Sequence, residues 1–159
     1  MSWMPGVRHF HPVADPMLRD PDGTKLDTGL MTALDAMRER VGKPFRVTSG
    51  YRSQALQDEL IQAGKTSARG SAHVTGEAVD GWFVGYGLFE TFIEALRSPF
   101  SGIGMYPWTQ PPVIHVDVRD RGSVRRLWIV TSDNRYLYAP HEHFFALLRQ
   151  YASDSLSSG

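Results

Sequence analysis

Ser71-Ala72-His73-Val74-Thr75-Gly76-Glu77-Ala78-Val79-Asp80 is the stretch on which the reading of this chain turns. It sets a histidine and an aspartate on either side of Gly76, a residue free to take positive φ at a sharp turn. Ala78-Val79 then reads as the start of a buried strand that carries Asp80 inward. A second apolar run, Val113-Ile114-His115-Val116-Asp117-Val118, holds His115 and Asp117 among β-branched neighbours. Burying such groups is costly unless they are paired, hydrogen-bonded or metal-bound. Two histidines and one aspartate, with a fourth position open, are a common ligand set for catalytic zinc. His73, Asp80 and His115 are therefore candidate metal ligands. The alternative at this level is a pair of satisfied polar histidines and a turn aspartate.

Composition narrows the classes around that motif. A chain of 159 residues points to one domain with a real core, and 42% apolar against 21% charged residues is ordinary for a globular protein. The formal net charge of zero gives no basic footprint for nucleic acid. The absence of cysteine excludes disulfides, thiolate catalysis and cysteine zinc sites, and leaves the redox compartment open. The N-terminal residues show no apolar signal core, and no run reaches membrane-spanning length. Synthesis in the cytoplasm without a signal peptide is the expectation.

Taken in order, residues 1–27 are rich in Pro, Asp and Gly and read as an irregular segment. Thr28 caps a helix to about Val41, with Leu30, Leu34, Met37 and Val41 on one face. Phe45–Thr48 is a strand running into the turn Ser49-Gly50-Tyr51-Arg52. Ser53 caps a second helix to about Ala63, with Leu56, Leu60 and Ile61 inward. The strand through Asp80 continues to Val84, and Leu88–Arg97 is a third helix with Phe89, Phe92, Ile93 and Leu96 buried. Strands follow at Gly102–Tyr106, Val113–Val118, Arg125–Thr131 and Arg135–Tyr138. A last helix runs to about Tyr151 with Phe144, Phe145, Leu147 and Leu148 apolar. Residues 28–153 form a single domain, and 154–159 a disordered tail. Early helices and late strands imply an α+β fold with a small, mostly antiparallel sheet and flanking helices.

Other polar residues compete for a role. Arg52 sits on a turn after a strand, where its fork could clamp a carboxylate or a developing oxyanion; the alternative is a surface arginine. His141-Glu142-His143 reads as a solvated helix terminus, and His9 and His11 as loop histidines. The stretch from Arg119 to Arg126 holds four arginines and one aspartate and reads as a solvated edge. Asp117 lies two residues beyond His115, so both point to one face about 6.6 to 6.8 Å apart. That spacing suits either of two roles: accepting a proton in the cleft, or orienting a ligand histidine by taking its other N–H. Glu77 is a further candidate base.

The order Val47-Thr48-Ser49-Gly50-Tyr51-Arg52-Ser53, Ser71 to Asp80, Gly102-Ile103-Gly104-Met105-Tyr106-Pro107, Ile114-His115-Val116-Asp117-Val118 and Arg125-Arg126-Leu127-Trp128 resembles the M15 zinc peptidases. These are the D-Ala-D-Ala carboxypeptidase and murein endopeptidase group, whose fold is shared with the hedgehog signalling domain. The resemblance implies a hedgehog/DD-peptidase-like fold, Zn2+ held by His73, Asp80 and His115, substrate contact by Arg52 and Ser71, and a peptidoglycan peptide as substrate. One departure stands out: many relatives carry an acidic base three residues before the last ligand histidine and often a histidine two before it. Here those positions are Pro112 and Val113, so the base is sought at Asp117.

The resulting expectation is a monomeric zinc metallopeptidase, a carboxypeptidase or endopeptidase of the cell wall. Catalysis is assigned to Asp117 and Arg52. Without a signal peptide, a phage or prophage lysis enzyme (an endolysin) is expected, reaching the wall after release or on a virion. The rival readings are a zinc-containing module that only binds peptidoglycan or a protein, and a phage structural protein.

Overall fold

The computed structural model describes residues 3–66, 70–120 and 124–157. Its centre is a six-stranded sheet built from β1 (Phe45–Ser49), β2 (Ala78–Phe83), β3 (Gly102–Tyr106), β4 (Val113–Asp117), β5 (Arg126–Val130) and β6 (Tyr136–Tyr138), in the order β1-β2-β4-β3-β5-β6. Neighbours pair antiparallel except β3 and β5, which run parallel. This is the α+β class expected, with one parallel pairing inside a mostly antiparallel sheet.

Side chains two apart share a face of a strand, so register sorts the sheet into a dry face and a working face. Val79, Val116, Ile103 and Leu127 fall in one cross-strand row, and Ile114, Met105, Ile129 and Leu137 in the next. Those rows belong to the hydrophobic core, together with Phe45, Phe83, Phe92 and Phe144. The opposite face carries Asp80, His115, Gly104, Trp128 and Tyr138 in one row and Ala78, Asp117, Gly102 and Arg126 in the next. The residues of chemical interest thus lie together on the face turned away from the core.

Helix α1 (Thr28–Val41) is capped by Asp27 rather than Thr28: the Asp27 carboxylate accepts from the Leu30 N–H at 2.9 Å. Helix α2 (Gln54–Gln62) does start after a Ser53 cap, whose hydroxyl accepts from the Leu56 N–H. Leu56, Leu60 and Ile61 are only half-buried, however, and the fully buried residue of α2 is Gln57. On α3 (Leu88–Leu96) the fully buried stripe is Thr91, Phe92 and Ala95, with Phe89 and Ile93 at its margins. Helix α4 (Glu142–Ser157) buries Phe144 and leaves Phe145 exposed. It runs past Tyr151 to Ser157, so residues 154–157, expected in a disordered tail, are helical; 158 and 159 lie outside the described residues.

The N-terminal segment has little regular structure, a short 3-10 turn at Pro16–Leu18, yet it buries Met4, Val7, Phe10, Leu18 and Leu26 in the core. It also grips the loops that carry the site. Buried Asp20 folds its own loop by accepting from the N–H groups of Thr24, Lys25 and Leu26. The carbonyls of Met17 and Leu18 accept from the Gly50 and Tyr51 N–H groups, and the Asp27 N–H donates to the Gly76 carbonyl. Gly76 takes φ +75°, and a Cβ there would lie 1.9 Å from the Lys25 carbonyl oxygen. The turn between His73 and Asp80 therefore admits only glycine.

Candidate metal centre and cleft

Three elements bring the candidate ligands together. His73 sits in the turn before β2, Asp80 on β2 and His115 on β4 directly opposite Asp80 in the register. Their donor atoms all lie within 4.8 Å of one another. Asp80 Oδ1 is 3.1 Å from His73 Nε2 and 2.9 Å from His115 Nδ1. Both histidines are buried, while Asp80 is partly open to the cleft.

The remaining ring nitrogens fix the chemistry of these donors. His73 Nδ1 is 2.8 Å from the Gly50 carbonyl oxygen, which can only accept, so this nitrogen carries the proton and Nε2 is bare. His115 Nε2 is 2.8 Å from Asp117 Oδ2, which places its proton there and bares Nδ1. Two bare imidazole nitrogens and a carboxylate oxygen thus converge on one point from three sides. That donor set fits a divalent ion of the zinc type.

Protonation follows the same contacts. Burial raises the Asp80 pKa, but the His73 charge and the hydrogen bonds from His115 and His73 outweigh it and hold the carboxyl well below the usual range. For His115, burial favours the neutral ring, yet its bonds to Asp117 and Asp80 push it up to about 9. Hydrogen bonding to Asp80 requires protons on the histidine nitrogens that face it, and a metal takes those nitrogens bare, as in the neutral rings, only by displacing the protons.

The cluster lies on the floor of a cleft of about 460 Å³, a volume typical of small-ligand sites. Arg52 forms one side. Its Nε donates to Ser49 Oγ at 2.9 Å and one terminal nitrogen to Gln57 Oε1 at 3.2 Å, while the other stands 3.6 Å from Asp80 Oδ2. The buried Gln57 of α2 is thus the support that aims the fork. Ser71 lines the cleft, and its hydroxyl accepts from the His73 N–H at 3.2 Å. Tyr106, Trp128, Tyr136 and Tyr138 line the cleft as well. Trp128 packs on the His115 ring at 5.3 Å between centroids.

The other candidates fall elsewhere. Glu77 bonds the Thr75 hydroxyl and does not line the cleft. His9 pairs with Glu39, and His141 and His143 are exposed at the start of α4. Asp117 is 1% exposed, with Oδ2 on His115 and Oδ1 at 2.7 Å from Arg126 and 3.2 Å from the Arg119 N–H. Every oxygen of Asp117 is therefore engaged, the arrangement of a group that orients His115.

The arginine stretch is no solvated edge over its last two members. Arg125 donates to the carbonyls of Leu96, Ser98 and Phe100, and Arg126 turns onto Asp117. Arg121 lies outside the described residues. Arg126, Gln57 and the aromatic wall are the site residues that sequence reasoning missed. The Gly102-x-Gly104 spacing was an available signal, since glycine inside a strand marks a close approach.

A mixed sheet with a His-Asp-His cluster facing a cleft defines a candidate metal site. Residues 13–128 match the family described as peptidoglycan L,D-endopeptidase MepK, and the chain belongs to this M15 peptidase family. MepK of Escherichia coli K12 is 32% identical over 94 residues, covering 58% of this chain and 50% of the relative, and MepK of Shigella flexneri matches to the same degree. The chain thus spans about half the length of these curated relatives. Among solved structures, the Serratia marcescens L-Ala D-Glu endopeptidase ChiX superposes with a TM-score of 0.50 at 20% identity, over 72% of this chain and 93% of that one. That likeness supports the fold.

Proposed function

We propose that this protein is a zinc-dependent endopeptidase acting on peptidoglycan peptides. The observation that carries the reading is the pair of tautomer-fixed histidines aiming bare nitrogens at Asp80 on a cleft floor. Family membership supplies the substrate class, and the L,D bond in the MepK name is the first specificity to test.

Zinc in such a site supplies Lewis acidity toward a carbonyl and toward water. The chain's own residues do the rest. His73, Asp80 and His115 would hold the ion. Arg52, braced by Ser49 and Gln57, donates to the oxygen of the scissile carbonyl or to a nearby substrate carboxylate. Ser71 holds the His73 turn at the cleft wall. The aromatic side chains pack against the peptide and exclude water.

The test is mass analysis of fragments released from purified sacculi, with and without a chelator. Release of cleaved stem peptides that stops on chelation and returns with zinc is expected. Fragments that persist in chelator overturn the metal reading. One observation favours a second reading, a metal-containing module that grips peptidoglycan without cutting it. The carboxylates lining the cleft among the described residues are Asp80 and Asp117, and both are committed to partners. Binding to sacculi without fragment release would establish it.

Arg52→Lys is expected to keep metal and fold while turnover falls by roughly 10²-fold, the scale of losing one oriented donor. A lysine cannot span Ser49, Gln57 and the substrate at once. Unchanged turnover would confine Arg52 to supporting Asp80.

A further inference from the structure

On the working face of the sheet, β3 lies between β4 and β5, and it presents no side chain opposite Asp117. Gly102 pairs with Asp117 on one side and with Arg126 on the other. A Cβ at Gly102 would lie 2.4 Å from Asp117 Oδ2 and 2.7 Å from Oδ1, so any other residue would displace the carboxylate. Through this notch Arg126 reaches across β3 and sets a terminal nitrogen 2.7 Å from Asp117 Oδ1. Its Nε is buried with no hydrogen-bond partner among the described residues. The guanidinium lies near Trp128, 5.9 Å from the ring centroid, and Trp128 in turn packs on His115.

A guanidinium donates and never accepts. The atom that faces Arg126 at position 117 must therefore be an acceptor, which leaves the other oxygen for His115 Nε2–H. We infer that Arg126 is a positioning residue that orients the Asp117 carboxylate, holding Oδ1 so that Oδ2 takes the His115 Nε2–H and Nδ1 stays turned toward Asp80 and His73. This rests on the metal reading of the site and adds to it a cleft residue that acts on His115 through Asp117.

An asparagine at 117 exposes the logic. Its single oxygen is claimed by Arg126, because an amide NH2 set against a guanidinium would leave donors face to face. The NH2 then meets His115 Nε2, which can pair with it only when bare, and the ring proton moves to Nδ1. Removing the guanidinium lets the amide turn and offer its oxygen to His115. The recovery is partial, since the Arg119 N–H still points at the same side from 3.2 Å.

The experiment is zinc titration by calorimetry of four proteins: wild type, Arg126→Met, Asp117→Asn and the double variant, each checked for fold by circular dichroism. Arg126→Met is expected to weaken zinc about 10-fold and Asp117→Asn about 100-fold, the range for outer partners of metal-bound histidines. The double variant is expected to bind roughly 10-fold tighter than Asp117→Asn alone. A double variant no tighter than Asp117→Asn overturns the inference. If Asp117→Asn does not fold, the decision passes to Arg126→Met: wild-type affinity there overturns it, and a loss that Arg126→Lys recovers supports it. Failure of the wild type to bind zinc would instead remove the metal reading itself.

Discussion

His115→Ala is expected to take the protein from about one zinc per chain to nearly none and to abolish peptide hydrolysis, while His141→Ala leaves both unchanged. His115 stands at the junction of the site. Its Nδ1 meets Asp80, its Nε2 meets Asp117, and its ring lies against Trp128. Alanine removes one of three candidate ligands and takes from the buried Asp117 its partner at Oδ2, leaving Arg126 and the Arg119 N–H at Oδ1. Two remaining protein donors do not make the three-ligand site that catalytic zinc requires. His141 is exposed at the start of α4, does not line the cleft, and packs its ring against its neighbour His143. Zinc content by atomic spectrometry and fragment release from sacculi settle the comparison. Metal retained in His115→Ala and lost in His141→Ala would move the centre to the helix terminus.

The parts of this centre that could be read in sequence were those where chemistry contradicts its surroundings. His115 and Asp117 interrupt a β-branched run, and Gly76 separates His73 from a strand that begins with Ala78-Val79. Each anomaly is local, so a linear reading finds it. Strand positions were legible for the same reason, since apolar runs and the turns between them lie within a few residues. What escaped depends on which strands become neighbours. Arg126 meets Asp117 only because β5 lies parallel to β3 and β3 lies against β4. Nothing local to Arg125-Arg126 distinguishes it from a solvated basic edge. The α1 face reads correctly, with Leu30, Leu34 and Met37 buried, but α2 turns Gln57 inward, where it accepts from Arg52, whereas its leucines suggest an apolar stripe.

The irregular N-terminal segment shows a related limit. Its lack of helical or strand periodicity makes it look dispensable, yet the Met17 and Leu18 carbonyls hold the turn from which Gly50 fixes the His73 tautomer. A Cβ on Gly50 would lie 2.6 Å from the Leu18 carbonyl oxygen, a measure of how closely the two backbones pack. The precision of one ligand therefore depends on loop-to-loop backbone contacts, which carry no sequence pattern.

The second large effect is expected at Asp117, where the asparagine variant should keep its fold and lose both zinc affinity and turnover. Two roles were open for this carboxylate, and they make opposite forecasts. A proton carrier exchanged for its amide leaves metal in place and lowers turnover by roughly 10²- to 10⁴-fold. A group that fixes a ligand tautomer costs metal affinity first, and turnover falls because the centre empties. The geometry supports the second, since Asp117 is buried, spends Oδ2 on His115 and spends Oδ1 on Arg126 and the Arg119 N–H. The discriminating measurement is turnover as a function of added zinc. If Asp117 positions His115, saturating zinc restores much of the activity of Asp117→Asn, because binding energy pulls the ring back to the Nε2–H tautomer. If Asp117 carries the proton, the variant is fully loaded at ordinary zinc and no further addition helps.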